Sequence, residues 1–117
     1  MEERIKNITS EVYEELMKLF GGKLERIILY GSYARGDFNL ESDVDIMILL
    51  SCDQTEIAEN RKKISRIASR VGLKNDIMIS LLVRNCDDFK NEMEYQPFYQ
   101  NIERDGLRII KDDGTIS

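Results

Sequence analysis

The sequence predicts an α/β (α+β) domain, a small mixed β-sheet flanked by helices. Three observations predict it. Short apolar, β-branched runs lie at 26–30 and 44–50, and a third starts near Asp76. Segments with three-to-four apolar spacing flank and separate these runs. A helical stretch of 18 residues, 54–71, joins the second run to the third, the kind of connection that parallel neighbours require. At 117 residues the chain is expected to be one domain over 1–117.

In chain order, Ile5, Ile8, Val12, Leu16 and Leu19/Phe20 form one face of a helix over 4–20, stopped by Gly21-Gly22. Arg26 to Tyr30 reads as a buried strand that ends at Gly31, with a short helix after Gly31-Ser32. From Asp43 the string Val-Asp-Ile-Met-Ile-Leu-Leu gives a second strand. Ile57, Ile64, Ile67, Ala68 and Val71 line a helix over 54–71, for which Gly72 is the expected C-cap. Asp76 heads a third strand that reaches about as far as Val83. Asp87 then caps a helix running to about Glu94. Pro97 interrupts, 98–104 add a helical turn or two, Asp105-Gly106 end them, and Leu107-Arg-Ile-Ile suggests a short edge strand.

Composition narrows the chemistry. The net charge of −5 disfavours a direct nucleic-acid partner held through its phosphates. There is no histidine, which removes the usual general base, the usual zinc ligand and every Ser-His or Cys-His nucleophile. Cys52 and Cys86 lie 34 residues apart, too few and too distant for a zinc site, and are expected as reduced thiols. Met1-Glu2-Glu3-Arg4 is charged, no apolar run follows it, and no stretch nears the roughly 20 residues of a membrane span. A cytoplasmic protein with no membrane partner is the expectation.

Three features carry chemistry. In Tyr30-Gly31-Ser32-Tyr33-Ala34-Arg35-Gly36, a strand runs into Gly-Ser and a short helix. Glycine there lets a ligand approach the backbone, and the first N–H groups of a helix attract anions. Ser42-Asp43-Val44-Asp45 opens the second strand, and alternation sends both aspartates to one side. Turn chemistry explains Asp43, but Asp45 heads five apolar residues, where aspartate is disfavoured. The third feature is Asp76. If the second and third strands are parallel neighbours, and the first runs antiparallel to the second, all three features meet at one sheet edge. Clustered carboxylates resist ionising together without cations, and Mg²⁺ held by carboxylates and phosphates is the simplest relief. Two such ions serve an in-line phosphoryl or nucleotidyl displacement without any histidine.

These residues resemble the nucleotidyltransferase superfamily typified by DNA polymerase beta. Its pattern is an apolar strand, Gly-Ser or Gly-Gly, a spacer, Asp-x-Asp or Asp-x-Glu, and a later single carboxylate. Here Gly31-Ser32 is followed by ten residues (33–42), then Asp43-Val44-Asp45, and later Asp76. The strings Gly-Ser-Tyr-Ala-Arg-Gly, Ser-Asp-Val-Asp-Ile and Phe98 to Gly106 are similar to the minimal nucleotidyltransferase (MNT) subgroup.

The resemblance implies the nucleotidyltransferase fold, with ATP as substrate and two Mg²⁺ ions as cofactors. Gly31 and Ser32 would hold the β and γ phosphates, and Arg35 would stabilise the triphosphate or the leaving group. Asp43 and Asp45 would ligate the metals. Asp76 would hold the catalytic metal and help deprotonate the acceptor hydroxyl. Larger relatives append an acceptor-binding domain, so the acceptor expected here is small or is carried by a partner protein. MNT proteins of this type resemble antitoxins that transfer AMP to a tyrosine of a HEPN-type ribonuclease toxin. Two alternatives stand beside that reading: a non-catalytic antitoxin that occludes the toxin, and a small-molecule nucleotidyltransferase needing a helper subunit.

Overall fold

The computed structural model describes residues 3–109. The ends of the expected 1–117 domain, and Ile110 of the expected last strand, lie outside them. Helix α1 spans Glu3–Phe20 and buries Ile5, Ile8, Val12, Leu16 and Phe20, the stripe that its spacing defines. A single 3₁₀ turn, Gly21–Lys23, leads into β1 (Leu24–Tyr30). One helical turn, α2 (Ser32–Arg35), follows, and β2 runs over Val44–Leu50. Then come α3 (Gln54–Glu59), α4 (Arg61–Asn75), β3 (Ile79–Asn85), α5 (Cys86–Glu92), α6 (Pro97–Asp105) and β4 (Leu107–Arg108).

The four strands form one sheet in the order β3-β2-β1-β4. β1 is antiparallel to β2 and to β4, while β2 and β3 are parallel, so the sheet is mixed as expected. Apolar side chains cover both of its faces. On one face α1, α3 and α4 pack Ile5, Val12, Leu16, Ile57, Ile64 and Val71 against Ile27, Leu29, Val44, Ile46, Ile48 and Ile79. On the other, α5 and α6 pack Phe89, Tyr99 and Ile102 against Ile28, Met47 and Leu49. β2 is central and apolar on both sides, which explains why its pattern reads as a continuous run.

Four expectations need correction. The helix expected over 54–71 is two helices. Asn60 departs from helical geometry at φ −102°, ψ 3°, and its side-chain amide donates to Glu56 O at 2.8 Å. An asparagine that bonds its own backbone competes with helix continuation. Gly72 is not the cap but an interior residue of α4, which runs on to Asn75. The cap is Asp76, left-handed at φ 52°, ψ 50°. Ile77 N–H donates to Gly72 O at 3.0 Å and Asp76 N–H to Leu73 O at 3.4 Å, the paired bonds of a Schellman ending. Glycine is needed at 72 because a Cβ would lie 2.7 Å from Ile77 O. Asp76 therefore does not head the third strand, which begins at Ile79 and continues to Asn85. The cap of α5 is Asn85, whose side chain accepts from Asp88 N–H, rather than Asp87.

Candidate active site

Three strand neighbours lie in a row across the sheet: Tyr30 on β1 pairs with Asp45 on β2, and Asp45 pairs with Ser80 on β3. Residues paired in register project to the same face. This row lies on the face covered by α5 and α6, because Tyr30 packs against that cluster while Val44 and Ile79 belong to the opposite one. Beyond the packed part of the cluster a cavity of about 390 Å³ opens. Gly31, Ser32, Arg35 and Asp45 line one side of it, and Phe98, Asn101 and Asp105 of α6 line another.

Gly31 is fitted closely to Asp45. Its φ of +76° favours glycine, and any Cβ there would collide with Asp45 Oδ2. The carboxylate thus rests against a bare backbone at the point where β1 turns into α2. Arg35 N–H donates to Gly31 O at 3.1 Å and Gly36 N–H to Ser32 O at 2.9 Å, closing the turn. Tyr33 anchors it, being buried and stacked on Phe38 with ring centroids 4.4 Å apart. The first N–H groups of such a turn have no acceptor inside it.

The charges fit this geometry. Burial first, and then the neighbouring Asp43 carboxylate, raise the pKa of Asp45, while the Arg35 guanidinium pulls it down. Arg35 is exposed, and its Nε donates to Asp37 Oδ2 at 3.2 Å. The Tyr30 phenol is pushed up to about 12, chiefly by burial and then by Asp45, so it remains a neutral hydroxyl. Phe98 meets Tyr30 edge-on at 5.7 Å.

The expected site residues therefore fall into two groups. Gly31, Ser32, Arg35 and Asp45 come together around one cavity, and the charge of Asp43 acts on Asp45. Asp76 does not join them. It is exposed at the end of α4 and lines a different cavity, with Ala68, Ser69, Leu73 and Met78. The left-handed turn at Asp76 directs the chain out of α4 before β3 begins, so Ser80 and not Asp76 stands beside Asp45. Asn101 and Asp105 fall within the string Phe98 to Gly106 that resembles the MNT subgroup, but no site role was expected of them; they lie some seventy positions along the chain from the Gly-Ser turn, and only the fold of α6 over the sheet unites them.

Among the described residues, no group of three or more His, Cys, Asp or Glu side chains converges as a metal cluster. Asp43 and Asp45 are still a hard, anionic oxygen pair. They fit a divalent cation that takes its remaining oxygens from substrate phosphates and water.

A family profile described as a nucleotidyltransferase domain matches residues 9–110. The chain belongs to the nucleotidyltransferase domain family. Among curated proteins this nucleotidyltransferase is similar to "Putative protein adenylyltransferase MJ0141" of Methanocaldococcus jannaschii. The two are 43% identical over 76 residues, 65% of this chain and 75% of that protein. Among solved structures it is similar to a "putative nucleotidyltransferase from Sulfolobus solfataricus", with a TM-score of 0.60 and 20% identity over 97% of this chain and 86% of that one. It is also similar to a "toxin-antitoxin with AMP-PNP", with a TM-score of 0.53 and 21% identity over 89% of this chain and 77% of that one. These two structural likenesses concern the fold. No helix among the described residues is long and apolar enough to cross a membrane.

Proposed function

We propose that this nucleotidyltransferase is a cytoplasmic antitoxin acting as one domain over 1–117. In this reading it is a Mg²⁺-dependent protein adenylyltransferase that moves AMP from ATP to a tyrosine of a HEPN-type ribonuclease toxin. One observation carries the reading: a single cavity holds the Gly31-Ser32 turn, Arg35 and the half-buried Asp45, with Asp43 next to it. The likeness to a protein adenylyltransferase at 43% identity supports the reaction class. The likeness in fold to a toxin–antitoxin structure containing AMP-PNP supports the partner and the nucleotide.

The chain's own residues do the following. The bare backbone at Gly31 admits the triphosphate close to the turn, and the Ser32 hydroxyl donates to a phosphate oxygen. Arg35 neutralises charge on the triphosphate and on the departing pyrophosphate. Asp43 and Asp45 would hold Mg²⁺. The bound metal supplies charge neutralisation at the triphosphate. The tyrosine oxygen bonds to the α-phosphorus and gives up its phenolic proton to solvent as the bond from the α-phosphorus to the α–β bridging oxygen breaks, and pyrophosphate leaves. Asp76 is left outside this assignment, and the two ions that the resemblance implies would have to share one pair of carboxylates.

The separation of Asp76 favours one second reading, an antitoxin that occludes its toxin without modifying it. Co-expression with a HEPN-type ribonuclease separates the two. Asp43→Asn and Asp45→Asn are expected to lower AMP transfer about 10²- to 10³-fold. Mass spectrometry should then find the toxin tyrosine unmodified and the cells unprotected. Full protection by both variants, with no modified tyrosine even beside the unaltered antitoxin, would establish occlusion instead.

A further inference from the structure

α4 is charged unlike the rest of the molecule. It carries Arg61, Lys62, Lys63, Arg66, Arg70 and Lys74 and no acidic residue, in a chain of net charge −5. Arg70 and Lys74 turn towards α1, where they pair with Glu15 at 2.9 Å and Glu11 at 3.4 Å. Arg61, Lys62, Lys63 and Arg66 are exposed and make no ion pair among the described residues. Spacings of seven and eleven put Arg61 on the same side of α4 as Ala68 and Gly72.

That side of α4 borders an unpaired sheet edge. β3 is an outer strand, and β2 is its only strand partner among the described residues. The Met78 carbonyl accepts from Val44 N–H at 2.9 Å, so alternation turns the N–H and C=O groups of Ile79, Leu81 and Val83 outward. Such a row is a template for another strand. Beside it, Ala68, Gly72 and Leu73 of α4 and Ile77, Met78 and Ile79 line a groove of about 530 Å³. Leu73 and Met78 are 85% and 67% exposed, so this apolar groove is uncovered. The chain reverses at Asp76, and the 15 residues of α4 and the 7 of β3 both span about 23 Å. The groove therefore lies at the Ile79 end of the edge and Arg61 towards the Asn85 end. None of these residues lines the cavity of Asp45.

We propose that the β3 edge takes up an extended acidic segment of a partner protein as a fifth strand. Its backbone pairs with the outward groups of Ile79, Leu81 and Val83, and an apolar side chain fills the groove between α4 and Ile79. Its carboxylates meet Arg61, Lys62 and Arg66. The exposed Asp76 at the groove repels carboxylates there and directs them to the Arg61 end. A second copy of this chain fits less well. Pairing two β3 edges antiparallel would set α4 beside α4 on one face, cation against cation. A nucleic acid would answer the charge but leave the strand edge and the apolar groove unused.

Fluorescence anisotropy of the full chain tests this with three labelled probes. They are a short peptide alternating glutamate and valine, its lysine–valine counterpart, and a polyuridine RNA of similar length. The glutamate peptide is expected to bind and the other two are not. The double variant Arg61→Glu, Arg66→Glu should weaken its binding about tenfold or more. N-methylation of the peptide's backbone amides should abolish binding, because it removes the donors that a strand edge needs and leaves the protein unaltered. No binding of the glutamate peptide, undiminished binding after either change, or equal binding of the lysine peptide or the RNA would overturn the proposal. So would dimers of the chain, seen in sedimentation, that the peptide dissociates, because a second copy would then be the occupant of the edge.

Discussion

Asp45 is costly where it stands. Its carboxyl is half-buried, pressed against the bare backbone of Gly31 and facing a second carboxylate, and its pKa is raised for those reasons. The native protein holds the Asp45 proton to higher pH than the unfolded chain does. The associated stability is fully present below the ordinary aspartate value of 3.8 and is lost as pH rises through the raised native value. Asp45→Asn removes that loss. Denaturant melts should show the variant more stable than the unaltered protein at neutral pH, with the difference shrinking in acid below the ordinary carboxylate range. A variant less stable at neutral pH would mean that Asp45 serves the fold rather than a ligand. The residue's oddity was legible in the sequence, since an aspartate heading five apolar strand positions has no packing reason to be there. Its neighbour Ser80 was not, because a serine in a strand carries no signal until the register is known.

At the scale of elements, the strand pairings were legible and the ends of the helices were not. Parallel neighbours require a long crossover such as the helical connection between the second and third runs, and the short link through Gly31 permits an antiparallel pair; both pairings occur. Helix ends depend on local hydrogen bonds that apolar spacing does not encode. Asn60 breaks a helix by bonding Glu56 O, and Asp76 ends one in a left-handed conformation that glycine at 72 was expected to mark. That single displaced ending places Asp76 on the α4 cavity and not on the cavity that Asp45 lines. If Asp76 serves only to end α4, glycine should do so with less strain. Asp76→Gly is expected to stabilise the protein by about 0.5–1 kcal/mol in chemical denaturation and to leave binding of Mn²⁺–AMP-PNP unchanged. Lost binding with a native-like melt would return Asp76 to the active site.

Over the whole molecule, the sheet separates two tasks. One face is filled by α1, α3 and α4 and carries most of the buried apolar residues. The other is filled by α5 and α6 only in part, and the part left open, beside Tyr30 and Asp45, is the cavity. A charge of −5 and the absence of histidine leave carboxylates, hydroxyls and arginine as the chemical means, and these are the groups around that cavity. The Gly31-Ser32 turn and the acidic pair were legible because both are local strings. The string Phe98 to Gly106 stood out only by resemblance, and its place as the α6 wall was not legible, because its residues meet the turn only when the chain has folded.

The claim on which the account depends is that the Asp43–Asp45 site transfers a nucleotidyl group. The purified protein and a HEPN-type toxin of the kind proposed above, incubated with Mg²⁺ and ATP labelled either at the α- or at the γ-phosphorus, test it most directly. Label from the α position should become covalently attached to the toxin, γ label should leave with pyrophosphate, and Asp45→Asn should transfer neither. Attachment of γ label, or α transfer that survives in Asp45→Asn, would contradict the account.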